Sequence, residues 1–400
     1  MRLTSILPLA LAGLACAACD LSVTNPGPVQ DDQLNSPAAI PALVNGMSGD
    51  LSFALGNFLG GDGGPVMTDE LTHSGNFAAP NDYESGIITS TDVDPDYQNM
   101  QRARWVAEDG LRRMQAVLGT DFESNPNTPR AYLYAGFANR LLGENMCQAV
   151  IDGGPAQSDS VYFQRAESSF TRAYETANAQ GNTTIVNAAL AGRASVRAAL
   201  GDWAGAVDDA SRVPATFVFY AIFSLNSSRE NNDLANQTHV RREMSVWGTP
   251  WAATNADPRT PWDTVFTSSG KVQTGNDGTT KFFRQDKYVL LSDDIPLAKG
   301  TEMLLIRAEA ALRSGDTTTM TNFINQERDV YGMAPVPVPA SMDDAWALLQ
   351  FERGAVLWLE GRRLWDLRRW HAEGTNHFLD GRDTCMPIGA SELASNPNLQ

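Results

Sequence analysis

Two widely separated stretches of the chain share one layout: a segment with helical apolar spacing, a Gly-Asp pair, and a second such segment. In the first, residues 187–200 lead to Gly201-Asp202-Trp203 and a segment over 204–213 closed by Pro214. In the second, residues 301–313 lead to Gly315-Asp316 and a segment over 317–331. Apolar residues recurring at three and four positions give each segment one face to bury, which predicts antiparallel helical pairs. A small residue stands seven positions before each turn glycine, Ala194 before Gly201 and Ala308 before Gly315, and lets the paired helices approach closely.

A further pair precedes these. Thr128-Pro129 opens a helix through Leu142, ended by Gly143, and its partner runs from about Ser160 to Ala179, ended by Gly181. Within the partner, Ala166, Phe170 and Ala173 resemble the second helix of a tetratricopeptide repeat, although the spacing also suits generic helical hairpins. The predicted fold is mainly α, with repeat-like pairs at about 128–180, 187–213 and 301–331. An earlier helix is announced by Ser36-Pro37 and by Ile40, Leu43, Val44, Met47, Leu51, Leu55 and Phe58, and is stopped by the glycines from Gly60 to Gly64. Residues 65–95 read as loop, and Met100, Ala103, Ala107, Leu111, Met114 and Val117 mark another helix. Residues 215–299 form a loop-rich insertion with short strand-like runs at 217–223 and 281–283 and a turn at Asn276-Asp277-Gly278. A long irregular segment inside a helical array is more often functional than structural.

The N-terminus indicates export. Met1-Arg2 and the apolar run Leu3 to Ala15 read as a signal segment too short to span a bilayer. Small residues then lead to Cys16 and Cys19 in a pattern resembling a bacterial lipobox. Residues 1–18 are therefore expected to be a signal peptide, with Cys19 (alternatively Cys16) lipidated, residues 19–35 an extended tether, and 36–400 one helical domain. A palmitate-bearing, triacylated N-terminus would anchor the protein without a spanning helix. This leaves Cys147 and Cys385, a pair permitted to form a disulfide in an exported protein. The formal net charge of −17 disfavours polyanions and anionic lipid, and nucleic acid is not an expected partner.

Against this acidity, residues 351–370 hold three Trp and five Arg. Read as a helix, Glu360 and Arg363, Arg362 and Asp366, and Asp366 and Arg369 fall at pairing distance, which makes the stretch a solvated or interhelical salt-bridge face rather than a phosphate-binding patch.

Catalytic motifs are absent. His73, His239, His371 and His377 lie in no metal-ligand pattern, and there is no phosphate loop, nucleophile elbow or redox cysteine pair. Asp92, Asp94 and Asp96 alternate as in a calcium loop, but Tyr97 occupies the position that needs glycine. Acidic pairs such as Asp69-Glu70 and Asp293-Asp294 are too common in an acidic chain to argue a glycosidase dyad. Neither enzymatic activity, nor a cofactor, nor a metal is expected.

A series from Glu302-Met303-Leu304-Leu305-Ile306-Arg307-Ala308-Glu309-Ala310, through Phe323-Ile324-Asn325-Gln326-Glu327-Arg328 and Leu359-Glu360-Gly361-Arg362-Arg363, to Trp365-Asp366-Leu367-Arg368-Arg369-Trp370 and Met386-Pro387-Ile388 resembles the C-terminal half of SusD/RagB-type lipoproteins. Asp257-Pro258-Arg259, Lys287-Tyr288 and Asn25-Pro26 add to it. The resemblance implies a SusD-like helical fold on the outer membrane of a diderm bacterium, facing the exterior. It also implies capture of glycans, oligosaccharides or peptides for a TonB-dependent barrel of the SusC type, without chemistry. This chain is shorter than most such proteins, a loss expected in the loops that build ligand sites. Flat aromatic faces and hydrogen-bonding side chains suit neutral sugars. The ligand-binding candidates are therefore Trp247, Trp251, Trp262 and Tyr288 in the insertion, with Asn76, Phe77 and Tyr83 from the early loop. Each tryptophan could equally anchor the insertion to the helices. Rival readings are a helical-repeat interaction scaffold at the outer membrane and a secreted hydrolase.

Overall fold

A computed structural model describes residues 31–61, 63–254 and 256–400. The expected signal segment, most of the tether, and the lipidation candidates Cys19 and Cys16 lie outside the described residues. The fold is mainly α, as expected.

The first long helix, α1 (Ile40–Gly60), starts about a turn later than Ser36-Pro37 suggested. Residues Pro37–Ala39 form a 3-10 turn, and Ser36 Oγ donates to Gln33 O (3.2 Å) instead of capping the helix. There follow α2 (Gly64–Met67), β1 (Thr72–His73), α3 (Ala78–Ser85) and α4 (Asp94–Leu118), so the region expected as loop carries two short helices and a strand. Of the alternating aspartates, Asp96 is fully buried and Asp94 begins α4; among the described residues no group of three or more acidic, His or Cys side chains could hold a metal.

The helical pairs are α5 (Thr128–Asn145) with α6 (Ser160–Ala179), joined through a hairpin of β2 (Gln148–Ala149) and β3 (Gln157–Ser158), and α7 (Thr183–Ala199) with α8 (Trp203–Ser211). Gly143 does not end α5. A Cβ there would lie 3.0 Å from the Phe163 ring, so the glycine admits α6 rather than stopping the helix. Two turns further along α6, Phe170 wedges between Gly136 of α5 and Gly192 of α7, where a Cβ would approach the ring to 2.6 and 2.5 Å.

Across the insertion run β4 (Val218–Ala221), α9 (Asp233–Ala235), a π-helical turn (Asn236–Arg241), β5 (Met244–Ser245), β6 (Trp262–Thr264), β7 (Phe283–Gln285) and β8 (Ile295–Lys299). Strands β4 and β8 pair antiparallel from Val218↔Lys299 to Ala221↔Ile295, which closes the insertion at its base. The chain ends with α10 (Gly300–Arg313), α11 (Thr317–Val330), α12 (Met342–Val356), α13 (Arg363–Ala372) and α14 (Ala390–Ser395). The repeated Gly-Asp has a local cause. Gly201 and Gly315 both adopt φ +83°, the left-handed conformation that ends a helix, and the next aspartate caps the following one: Asp202 accepts from Gly205 N and Asp316 from Thr319 N, each at 2.9 Å.

Residues 351–370 are not one helix. Between α12 and α13 the chain turns sharply, with Leu359 at φ +59° and Gly361 at φ +72°. Of the three expected local ion pairs, only Asp366 with Arg369 forms (2.9 Å), because the turn points Glu360, Arg362 and Arg363 at other elements. Cys147 and Cys385 are joined by a disulfide.

Candidate functional site

The turn at 357–362 sits in a buried ionic spine that fastens both the early loop and the insertion. Arg362 donates to Glu144 (2.8 Å), Glu302 (3.0 Å) and Ser195 Oγ (2.6 Å), all buried. Arg353 bridges Asp366 (2.7 Å) and Glu302 (3.3 Å), and Arg369 pairs with Glu309 and Asp366. Burial alone would raise the Asp366, Glu302 and Glu309 carboxyls, but the surrounding guanidiniums hold all three below the usual carboxylate range.

From this spine, ties reach outward. Arg363 grips Asp69 through two 2.7 Å bonds, and Leu359 N donates to Glu70 Oε1 (2.5 Å), which fastens the early loop. Glu360 accepts from Lys287 (2.7 Å) and Lys299 (2.6 Å), and Arg259 joins Asp257 (2.8 Å) to Glu327 (2.9 Å) and Glu352 (2.5 Å), which fasten the insertion. Burial pushes Glu70 up to about 7 and Glu327 to about 7, and pushes Lys287 down to about 8 against the attraction of Glu360. The acidic pairs weighed as a hydrolytic dyad are likewise occupied: Asp293 accepts from Val289 N (2.6 Å) and Leu290 N (2.8 Å), and Asp294 from Phe223 N (2.8 Å).

Where the fastened loops meet, they form a seam. Strand β1 pairs antiparallel with β5, Thr72↔Ser245 and His73↔Met244. Buried Glu243 organises what lies beside them: it accepts from Asn76 N (3.3 Å), Asn276 Nδ2 (2.9 Å) and Arg241 (3.3 Å). Asn76 Nδ2 donates to Asn276 O (3.1 Å), and Asp277 N to Ser74 O (2.9 Å). Asp277 caps its own turn by accepting from Thr279 N (2.9 Å) and Thr280 N (3.0 Å), so the turn read from Asn276-Asp277-Gly278 forms one wall.

On this seam stand three of the seven expected ligand residues. Asn76 is exposed, Phe77 is 48 % exposed with the Arg241 guanidinium 5.1 Å from its ring centre, and Trp247 is 37 % exposed with Lys281 at 5.9 Å. Trp262 is half-buried on the adjoining β6–β7 hairpin, stacked on Phe283 at 4.6 Å, with its indole N–H donating to Trp251 O (3.1 Å). The other three are corrected: they are buried and offer no ring face. Trp251 stacks on Phe351 (5.8 Å) beneath Arg363, Tyr288 lies in the core beside the spine, and Tyr83 donates to Asp96 (3.2 Å). These aromatics anchor the loops. Glu243 and Arg241 went unnoticed in the sequence, and Asn276 was read only as a turn residue, since a single acid and its partners in a polar loop have no periodicity to reveal them.

Residues 237–385 match the SusD family. A SusD superfamily protein from Bacteroides thetaiotaomicron superposes with a TM-score of 0.67 at 12 % identity, over 92 % of this chain and 98 % of that one. A SusD-like carbohydrate binding protein from Bacteroides fragilis gives 0.64 at 14 % identity, over 92 % and 99 %. A SusD superfamily protein from Bacteroides vulgatus gives 0.63 at 15 % identity, over 90 % and 97 %. Against these three, no loss of length is evident. No curated protein sequence gives a significant match. No helix among the described residues is long and apolar enough to cross a membrane.

Proposed function

We propose that this SusD/RagB-like chain is a solute-capture subunit, anchored by a lipid on Cys19 to the outer membrane, that takes a glycan at its surface and delivers it to a TonB-dependent barrel. The observation that carries the reading is the seam: Phe77, Trp247 and Asn76, drawn from loops far apart in sequence, lie exposed on a platform pinned by buried Glu243. Flat rings held rigidly beside carboxamides suit sugar rings, whose C–H faces pack on aromatics and whose hydroxyls need neutral hydrogen-bond partners. The carbohydrate-binding description of the Bacteroides fragilis relative supports the same ligand class. Capture asks for no nucleophile and no metal.

The test is gentle detergent extraction of the native protein. A large barrel is expected to co-purify, and the pair is expected to retain glycan on an array. A chain that runs alone after crosslinking in intact cells would overturn the assignment as an importer subunit.

A further inference from the structure

A second concavity, sharing no residue with the seam, opens where α1, α4 and α5 meet the base of the insertion. Its volume of about 550 Å³ falls within the roughly 300–1,000 Å³ of small-molecule sites. Its charge runs against that of the chain. Three arginines border it, and two of them, Arg102 (3.2 Å) and Arg229, converge on the same oxygen, Oδ1 of Asp50. Arg130 has no carboxylate within ion-pair distance among the described residues; its guanidinium meets only Tyr134 Oη (3.2 Å) and Asn45 Oδ1 (3.5 Å). The remaining acid, Glu230, is engaged by Ser224 Oγ (2.6 Å), Asn226 Nδ2 (3.2 Å) and Ser227 Oγ (3.2 Å). In a chain of net charge −17, a cavity with surplus guanidinium needs a reason.

The floor needs one too. Gly46 and Gly49 lie inside α1, where glycine destabilises a helix relative to alanine. A Cβ at either would meet nothing within 4 Å, and neither has a positive φ, so neither packing nor backbone conformation requires them. Later in the same helix the contrast is plain: a Cβ on Gly60 would fall 2.4 Å from the Asp233 backbone. What Gly46 and Gly49 preserve is open space beside the arginines.

We infer that this cavity is a second ligand site, for a short carboxylate-bearing sugar such as a uronic acid residue. Arg130 would take the carboxylate, since a planar guanidinium matches a carboxylate through two parallel bonds. Phe53, half-buried with the Arg229 guanidinium 4.4 Å from its ring centre, supplies apolar surface at the edge, and Asn45 and Ser48 supply hydrogen bonds for the sugar body. Arg102, whose side chain is largely exposed, can turn from Asp50 toward the ligand while Arg229 stays on the buried Asp50 carboxylate. The net negative charge of the chain restricts the site to short anions.

Isothermal titration of the purified chain with tri-galacturonate tests this, with maltotriose and tri-glutamate as controls. Tri-galacturonate is expected to bind, more weakly as salt is raised, and Arg130→Gln to weaken it about tenfold or more. Gly49→Leu is expected to block the site while leaving the melting temperature unchanged or raised, a combination that a purely structural glycine would not give. Trp247→Ala is expected to leave this binding intact, so failure here is distinguishable from failure of the seam. Absence of tri-galacturonate binding at millimolar concentration, binding that survives both Arg130→Gln and Gly49→Leu, or equal Arg130-dependent binding of tri-glutamate would each overturn the assignment.

Discussion

The buried spine and the exposed seam use charge and aromatics in opposite ways. In the spine, Arg353, Arg362, Arg363 and Arg369 are buried or nearly so and each faces at least one carboxylate, so the cost of removing charges from water is met by close partners. Its rings, Trp358 and Trp370, are fully buried. In the seam the acid that joins the two loops, Glu243, is buried, while the aromatics beside it, Phe77 and Trp247, face solvent. Buried ion pairs contribute little net stability, but they penalise any other arrangement of the loops they join. The spine therefore specifies where the early loop and insertion sit, and the seam is free to be shaped for a ligand.

Breaking the spine should give the largest effect. Arg362→Ala leaves Glu144 and Glu302, both buried, without their shared partner. A loss of about 3–5 kcal/mol in urea unfolding is expected. A loss below about 1 kcal/mol, within the range of a surface ion pair, would show that the spine is a dispensable decoration and would erase the contrast with the seam.

How far the sequence carried this contrast depended on locality. The helical pairs and their Gly-Asp turns were legible because a left-handed glycine and the N-cap after it act within a few residues. The spine's arginines were visible but their partners were not. Local spacing offered Arg362 to Asp366, whereas in the folded chain Arg362, the N-cap residue of α13 just after the sharp turn, reaches across to Glu144 and Glu302 on other helices rather than along its own helix. Aromatic residues were found without their orientation: Trp247 and Trp251 differ only in a turn, yet one is 37 % exposed and the other 2 %. Composition identifies a tryptophan, and only packing decides which way it faces.

A smaller effect, and one with a sign, comes from Glu70. Its folded value near 7 stands above the ordinary 4.5, raised by burial despite the hydrogen bond from Leu359 N. The neutral form is thus favoured in the fold, so its contribution to stability is fully present below pH 4.5 and lost as pH rises through 7. Glu70→Gln keeps an acceptor for Leu359 N and cannot ionise. Between pH 5 and pH 8 the variant should gain on the wild type by roughly 1–3 kcal/mol. Parallel stability curves across that window would place Glu70 outside the spine's electrostatics.

The seam should respond least in stability and most in binding. Trp247 keeps 37 % of its surface exposed, its backbone N–H donates to Ser245 Oγ (3.1 Å), and Lys281 rests near its ring. Trp247→Ala is expected to shift unfolding by no more than about 0.5 kcal/mol, while glycan retention falls about tenfold or more, in the range set by losing one well-used aromatic face. Trp251→Ala should do the reverse at first, since the buried ring stacks on Phe351 and its removal opens a cavity worth about 3–5 kcal/mol. If both variants lost stability and binding together, platform and support would be one cooperative unit. If Trp247→Ala lost neither, the exposed rings would be incidental and the ligand would have to be sought elsewhere on the surface.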